Sequence, residues 1–465
     1  MIRVSAGLAV LIFGVLLSPF AQARQNQGTV PPNVFGSVTQ GNTAPGTISL
    51  SIADAIDRAL KYNLGSVIAT QDSRVSAAEH LRALSELLPK INATVSETYQ
   101  QIDLAAFGFT SFPGVAPVVG PFTVTDARAH YSQPALDMKL LHDLRAASER
   151  LTASNLAQQD VREFVVLVTT DLYLEAVAGA SRVDAAQAEL KSAQAVYDRA
   201  VDLKDSGIIP GIDLLRSQVQ LQTQQQRVLA VENGLAKQRL NLARAIGLPQ
   251  GQAFSQTDSF VTTSTAIPPL EQALVTAMES RADYRRAEAL VRAAEESRKA
   301  ATSRRLPSVG FYADYGAIGE NPWNSHGTVT IQTTLLVPIY TGERTKAEVM
   351  ESEGMLEQRK AEAANLKGRI EYELRTANLD IQSAAQQVRV VQQARDLARQ
   401  QLTQAQDRFA AGVTNGLEVT QSQDSVVASD ENYISSLYAL NVAEASLARA
   451  MGTAEKTIKS FFGGK

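Results

Sequence analysis

Between Asp137 and Ser206 the chain runs without proline and with a single glycine, Gly179. Small and apolar residues recur there at alternating steps of three and four: Ala176, Gly179, Val183, Ala186, Leu190, Ala193, Tyr197 and Ala200. This is a heptad stripe with a small residue at every second position, suited to close packing between rods. At a rise of ~1.5 Å per residue the helix is roughly 100 Å long, more than a globular domain of ordinary size holds. Charged and Gln residues along its length argue against a membrane span and leave a coiled coil or a helical array.

The pattern returns in the second half. Ile381, Ala384, Val388, Val391, Arg395, Ala398, Leu402, Ala405 and Phe409 form a stripe in the same frame, interrupted only by Arg395. Leu88-Pro89 matches Leu306-Pro307, and Pro134 matches Pro338 at what read as strand-to-helix junctions. Gly207 matches Gly412 and Gly247 matches Gly452 at a nearly constant offset of about 205 residues, which is too long for a solenoid unit and implies a duplication.

Shorter helices flank each long one. Ser51 and Asp54 have capping-box spacing and open a helix that reads on to about Leu88. Others are expected over about 211–246, 269–306 and 413–451. In each repeat the two shorter helices, end to end, match the long one. Each repeat therefore makes two parallel rods, with a strand hairpin at one end and a helix–turn–helix tip at the other. Pro134 suits the first turn of the long helix. Gly207 and Gly412 suit the left-handed residue that ends one.

The hairpin segments alternate with period two over about 91–101, 123–133, 308–316 and 328–337. Ile91, Ala93, Val95 and Tyr99 oppose Asn92, Thr94, Ser96 and Thr98. Val329, Ile331, Leu335 and Val337 oppose Thr328, Thr330, Gln332 and Thr334. Strands of about 9–11 residues span a bilayer when tilted. A buried sheet of a soluble protein is the other reading of the same alternation. If the strands are in lipid, four cannot close a barrel, and open edges are not tolerated there. Two chains would give a filled barrel of eight strands; three would give twelve and room for a channel.

Composition narrows the function. The chain has 465 residues, a net charge of −4 and 6% aromatics. That charge is too mild to point to nucleic acid as a partner. The absence of cysteine excludes disulfides, thiolate metal sites and a lipidated cysteine. Arg3, an apolar run from Leu8 to Leu17 and Ala21-Gln22-Ala23 read as a cleaved secretory signal. His80, His130, His142 and His326 are scattered, and no phosphate loop or nucleophile elbow is present. No enzyme, cofactor or metal site is expected. The organisation read from these features is a signal peptide over 1–23, a flexible segment over 24–47 and a first repeat over 48–247. A linker over 248–267, a second repeat over 268–452 and a tail over 453–465 follow. The first hairpin loop, about 102–122, is apolar, with Phe107, Phe109, Phe112, Val115, Val118 and Val119.

Over about residues 49–452 the chain resembles the TolC-like outer-membrane efflux proteins. The resemblance is carried by Leu50-Ser-Ile-Ala-Asp-Ala-Ile-Asp-Arg-Ala-Leu-Lys-Tyr-Asn63, Arg305-Leu-Pro307, Gln133-Pro134 and Val337-Pro338-Ile339-Tyr340. Ser206-Gly207 with Asp213, and Ala411-Gly412 with Glu418, complete it, each carboxylate six residues past its glycine. It implies a fold that is mostly α with a small transmembrane β part. A homotrimer would form an α-helical periplasmic barrel and a 12-stranded β-barrel in outer-membrane lipid, four strands per protomer. It also implies an exit duct that receives small molecules or proteins from an inner-membrane pump through a periplasmic adaptor protein.

By position, the resemblance assigns Asp213, Glu418 and Gln421 to the narrow periplasmic aperture, where a carboxylate ring would favour cations. Phe409 and Thr414 stand where the family has a tyrosine and an arginine that hold the first-repeat aspartate, so that lock is altered here. First-turn carboxylates that complement a helix dipole are the plain alternative for Asp213 and Glu418. Gly207 and Gly412 mark the tips where the adaptor would dock. The competing function is a secreted or surface coiled-coil scaffold or adhesin without transport activity. Against it stand four alternating strands, for which a scaffold has no need.

Overall fold

The computed structural model describes residues 32–39, 41–43, 45–108, 114, 116–262 and 268–463. The signal segment 1–23, residues 24–31 of the lead-in, and Phe109, Phe112 and Val115 of the first hairpin loop lie outside them.

The first repeat begins with a short strand β1 (Ile48–Leu50) and the helices α1 (Ile52–Tyr62) and α2 (Leu64–Ser85). A hairpin follows, β2 (Lys90–Asp103) and β3 (Val118–Leu136), then the long helix α3 (Met138–Asp205) and the returning helix α4 (Gly211–Ile246). A three-residue strand β4 (Phe254–Gln256) lies in the linker. The second repeat repeats the order: α5 (Leu270–Ser280), α6 (Ala282–Ser303), β5 (Ser308–Gly319), β6 (Ser325–Leu336), α7 (Arg344–Ala410) and α8 (Gly416–Ala450). A final helix, α9 (Ala454–Gly463), closes the chain. The architecture is the expected one, mostly α with a small β part built from two tandem repeats.

The two heptad stripes pack as their spacing demands. Ala176, Ala186, Ala193 and Ala200 of α3 are buried, as are Ile381, Ala384, Val388, Leu402, Ala405 and Phe409 of α7. Alanine at these positions brings the backbones together, the condition for rods to lie side by side over most of their length. Arg395, the one charge in the second stripe, is satisfied rather than expelled. It pairs with Asp430 of α8 and lies 4.6 Å from the centre of the Tyr433 ring. One stretch of α3 is apolar enough to pass for a membrane span by composition, which the sequence reading discounted. It belongs instead to the core at mid-height, where Val165, Val166, Tyr173, Ala176 and Val177 are buried with Ile52, Ile56, Leu242 and Ile246.

Three expectations are corrected. The helices expected over 51–88 and 269–306 are each broken in two, at Asn63 (ψ 135°) and at Arg281 (ψ 118°). Neither break carries glycine or proline. Buried side chains hold them through tertiary bonds, described below. Pro134 does not open α3. It lies inside β3, opposite Gly310, at an irregularity in the β3–β5 register between Pro134 and Leu136. A bulge tolerates a residue with no N–H to donate. The helix starts at Met138, where the Asp137 side chain accepts from the Leu140 N–H. Pro338 stands in the connection between β6 and α7, which begins at Arg344, later than the sequence suggested.

The hairpins join into one four-stranded antiparallel sheet in the order β2-β3-β5-β6. The β3–β5 pairing is the seam between the repeats, running from Thr125↔Gly319 to Leu136↔Val309. Strands β2 and β3 span 14 and 19 residues, β5 and β6 12 each. Strands β2, β3 and β5 run past the alternating segments, and β6 starts three residues before its segment and ends one residue short of it. At mid-height β1 and β4 form a parallel pair, Ile48↔Phe254 to Leu50↔Gln256, tying the linker to the start of the first repeat. Asp258 reinforces this clasp by accepting from the Ile52 N–H (2.8 Å) and the Tyr173 hydroxyl (2.7 Å).

Candidate functional site

Each long helix ends in the same turn. Gly207 (φ 71°) and Gly412 (φ 70°) adopt the left-handed conformation that glycine takes without steric cost. After Gly207, the Ile208 N–H reaches back to the Leu203 carbonyl (2.8 Å) and the Gly207 N–H to Lys204 (2.9 Å). After Gly412, Val413 bonds Arg408 (3.0 Å) and Gly412 bonds Phe409 (2.9 Å). These pairs of bonds are Schellman motifs, which satisfy the last carbonyls of the helix.

The two tips pack against each other through Ala200, Leu203, Leu402, Ala405, Phe409, Val419 and Val426. Phe409 is 2% exposed and belongs to this core. Asp213, in the first turn of α4, is buried beside Gly416, and its carboxylate accepts from the Arg216 guanidinium (2.9 Å) one turn on. Glu418, in the first turn of α8, accepts from Arg408 Nη1 (2.8 Å) and from the Thr414 hydroxyl. Gln421 is exposed one turn further along α8. The carboxylates are thus held within their own tips, and Thr414 and Phe409 engage Glu418 and the core rather than Asp213. One bond crosses between α4 and α8, from Gln220 Nε2 to Asp424 Oδ1 (3.2 Å).

Sequence reading missed the apolar surface of the tips. Ile208, Ile212, Leu215, Val413 and Leu417 are all exposed. Ile208 and Val413 each follow a turn glycine, and Ile212 and Leu417 are each the second residue of a returning helix. The signal was present as an apolar residue after each repeat-related glycine. Arg216 and Arg408, which hold the two carboxylates, had no signal beyond helical spacing and chain reversal.

At the other end, β2 and β6 are the outer strands of the sheet and carry open hydrogen-bonding edges in the single chain. Every residue of β6 after Ser325 is exposed, and so are the first ten of β2. Their odd-numbered faces carry Ile91, Val95 and Tyr99, and Val329, Ile331 and Leu335, all widely exposed. An apolar face of this kind requires hydrocarbon or another protein surface against it.

Helical tips, paired long rods and an open sheet with one apolar face make up an architecture shared with outer-membrane channels that have a periplasmic helical part. Residues 273–453 match the family model of the outer membrane efflux protein. A relative, the pyoverdine export outer membrane protein OpmQ of Pseudomonas putida, is 24% identical over 296 residues, 60% of this chain and 60% of that relative's length. Among solved structures, a membrane protein from Pseudomonas aeruginosa superposes with a TM-score of 0.75 at 17% identity, covering 86% of this chain and 93% of that one. The CmeC outer membrane channel of Campylobacter jejuni does so with a TM-score of 0.74 at 15% identity, covering 91% and 92%. The second repeat thus carries the outer membrane efflux protein domain, and the chain as a whole has the fold of these outer-membrane channels.

Proposed function

We propose that three copies of the chain close into one twelve-stranded barrel and one helical tunnel, the exit duct of a tripartite export system. The observation that carries this reading is the pair of open edges on β2 and β6, flanked by apolar faces. An unpaired edge in hydrocarbon costs several kcal/mol per orphaned group, so the edge of β6 must find the β2 of a neighbour. Three chains supply twelve strands, and twelve leave a lumen.

The tips are the periplasmic end of the duct. Glu418 and the more deeply set Asp213 form rings of carboxylates at the aperture, with Gln421 adding no charge. Ile208, Ile212, Val413 and Leu417 repeat on both tips and offer an apolar surface to the periplasmic adaptor that joins the duct to an inner-membrane pump. Gly207 and Gly412 fix the turns that display them. The relative named for pyoverdine export supports a small-molecule cargo.

The test is the purified full-length chain in detergent and in planar bilayers. Heat-modifiable trimers and a stable conductance are expected. A monomer that stays soluble without detergent would instead establish the scaffold reading.

A further inference from the structure

One face of the sheet holds a charge cluster that the aperture does not explain. Arg128 of β3 bonds Asp126 through Nε (2.8 Å and 3.0 Å to the two carboxylate oxygens) and Asp314 of β5 through Nη1 (2.8 Å). Asp314 is 6% exposed. The cluster crosses the seam between the repeats, and the backbone makes room for it. Gly316 lies opposite Arg128 in the register, and a Cβ there would stand 2.2 Å from the Arg128 Cβ. The arginine therefore folds across bare backbone to reach the neighbouring strand.

The register also fixes which way the cluster faces. Asp126, Arg128 and Asp314 share the even-numbered face with Asn92, Thr94, Ser96, Thr328, Thr330 and Gln332. The opposite face is mainly apolar, with Ile91, Val95, Ala127, Ala129, Tyr315, Val329 and Ile331, and carries Glu97 toward the hairpin-loop end of β2. Hydrocarbon takes the second face, so the charges point to water inside the barrel. The other ionised group of the strands on that face, Lys90 at the foot of β2, is paired with Glu86 (2.6 Å). His130, His326 and Tyr312 are further titratable groups on that face, and the His130 ring is bonded to the Tyr312 hydroxyl (2.7 Å). Two carboxylates and one guanidinium leave a net charge of minus one per chain in a single layer.

We infer that Asp126, Arg128 and Asp314 form a charge-selective layer in the barrel lumen, remote from the tips, which favours small cations at the outer end of the duct. This rests on the trimeric channel reading, since three copies are needed to set the layer into a ring. Wall charges act on ions within about a Debye length, ~10 Å at 0.1 M salt and ~3 Å at 1 M.

The test is the reversal potential of single channels of the full-length protein in a KCl gradient at one fixed pH. Arg128→Gln doubles the ring's net negative charge and should shift the reversal potential toward potassium. Asp126→Asn with Asp314→Asn reverses the sign of the ring and should shift it toward chloride. Asp126→Asn alone leaves the Arg128–Asp314 bridge in place, neutralises the layer and should give an intermediate value. Arg128→Lys retains the charge without the forked geometry and should keep the wild-type value. All shifts should shrink in about 1 M salt. Channels of Arg128→Gln and Asp126→Asn that reverse at the wild-type potential, while Glu418→Gln moves it, would overturn this inference and leave the channel reading intact. A wild-type protein that forms no channel would overturn both.

Discussion

Asn63 and Arg281 stand at the same point of the two repeats, and each reaches to the end of its returning helix. Asn63 Nδ2 donates to the Ala245 carbonyl (3.1 Å), and Arg281 Nη1 donates to the Ala450 carbonyl (3.2 Å). The chain has solved one problem twice with unlike chemistry. Asn63 accepts from the Gly65 N–H (2.9 Å) and also donates to Val34 (2.6 Å), tying in the N-terminal segment. Arg281, 2% exposed, grips Asp283 through two nitrogens and Glu373 through a third.

Arg281→Met should therefore be far more costly than Asn63→Ala. It leaves Asp283 and Glu373 with only the more distant and more exposed Arg369 (3.8 Å and 3.4 Å), a loss of about 3–5 kcal/mol for a broken buried pair. Burial alone pushes the Asp283 carboxyl up, and the Arg281 bonds more than offset it, so the variant's midpoint should also shift with pH near the carboxylate range. Asn63→Ala should cost about 1–3 kcal/mol, the range for unsatisfied buried partners. Urea midpoints in detergent would rank the two, and equal midpoints would contradict the argument.

Glu189 predicts a pH dependence. It lies in a small cavity lined by Arg182, Arg227, Asp430 and Glu431, and its Oε2 has no hydrogen-bond partner. Burial first, and the charge of Asp430 second, push its carboxyl up to about 7, against the opposing pull of Arg399 and Arg227. The folded state thus binds this proton more tightly than the unfolded chain. The stabilisation is full below the ordinary carboxylate range and is lost as pH rises through about 7. Melting temperatures should fall from pH 6 to pH 8. Glu189→Gln should flatten that slope and raise stability at pH 8 by on the order of 1 kcal/mol. A variant whose slope matches the wild type would refute the assignment.

At the tips, Gly412→Val places a β-branched side chain at φ 70°, with a Cβ 3.2 Å from the Ile208 methyl. The left-handed conformation costs about 1–2 kcal/mol for an L-residue. Both trimer stability and export should drop. Full export by this variant would speak against the tip as the docking end.

Glu418→Gln should lower the cation preference of single channels, and Arg408→Gln should raise it, because Arg408 lies 2.8 Å from the Glu418 carboxylate and offsets its charge. Reversal potentials in a salt gradient would separate the two. Movement in the same direction would exclude Glu418 from the conduction path.

Ile331→Lys tests the lipid face. A lysine at the midplane of a transmembrane barrel costs about 2–4 kcal/mol, so heat-modifiable trimers should be reduced. The same change at Thr330, on the opposite face, should be tolerated. Equal yields of both would deny a membrane to this sheet.

The long helices and the duplication were legible because heptad spacing and repeated glycines are local signals. The breaks at Asn63 and Arg281 were not. Arg fits a helix interior by propensity and a lone Asn is tolerated in one, and the side chains that hold the breaks are bonded to carbonyls roughly 180 and 170 residues away. Pro134 misled for a related reason: proline suits a first helical turn and a strand bulge alike, and only the pairing with β5 decides. At the tip, the carboxylates could be placed by repeat position. Their partners Arg216 and Arg408 depend on how each chain reversal folds back.

The clasp of β1 and β4, with Tyr173 beneath it, also has a mechanical meaning. It fixes α3 near its middle, and the arm from Tyr173 to Asp205, packed against the neighbouring helices and ending in the tip core, is roughly 48 Å long at the helical rise. The clasp is then a fulcrum and the lower half of α3 a lever. A tilt of about 5° at mid-height carries the tip sideways by roughly 4 Å, the width of a side chain, while the strands on the far side of the pivot need scarcely move.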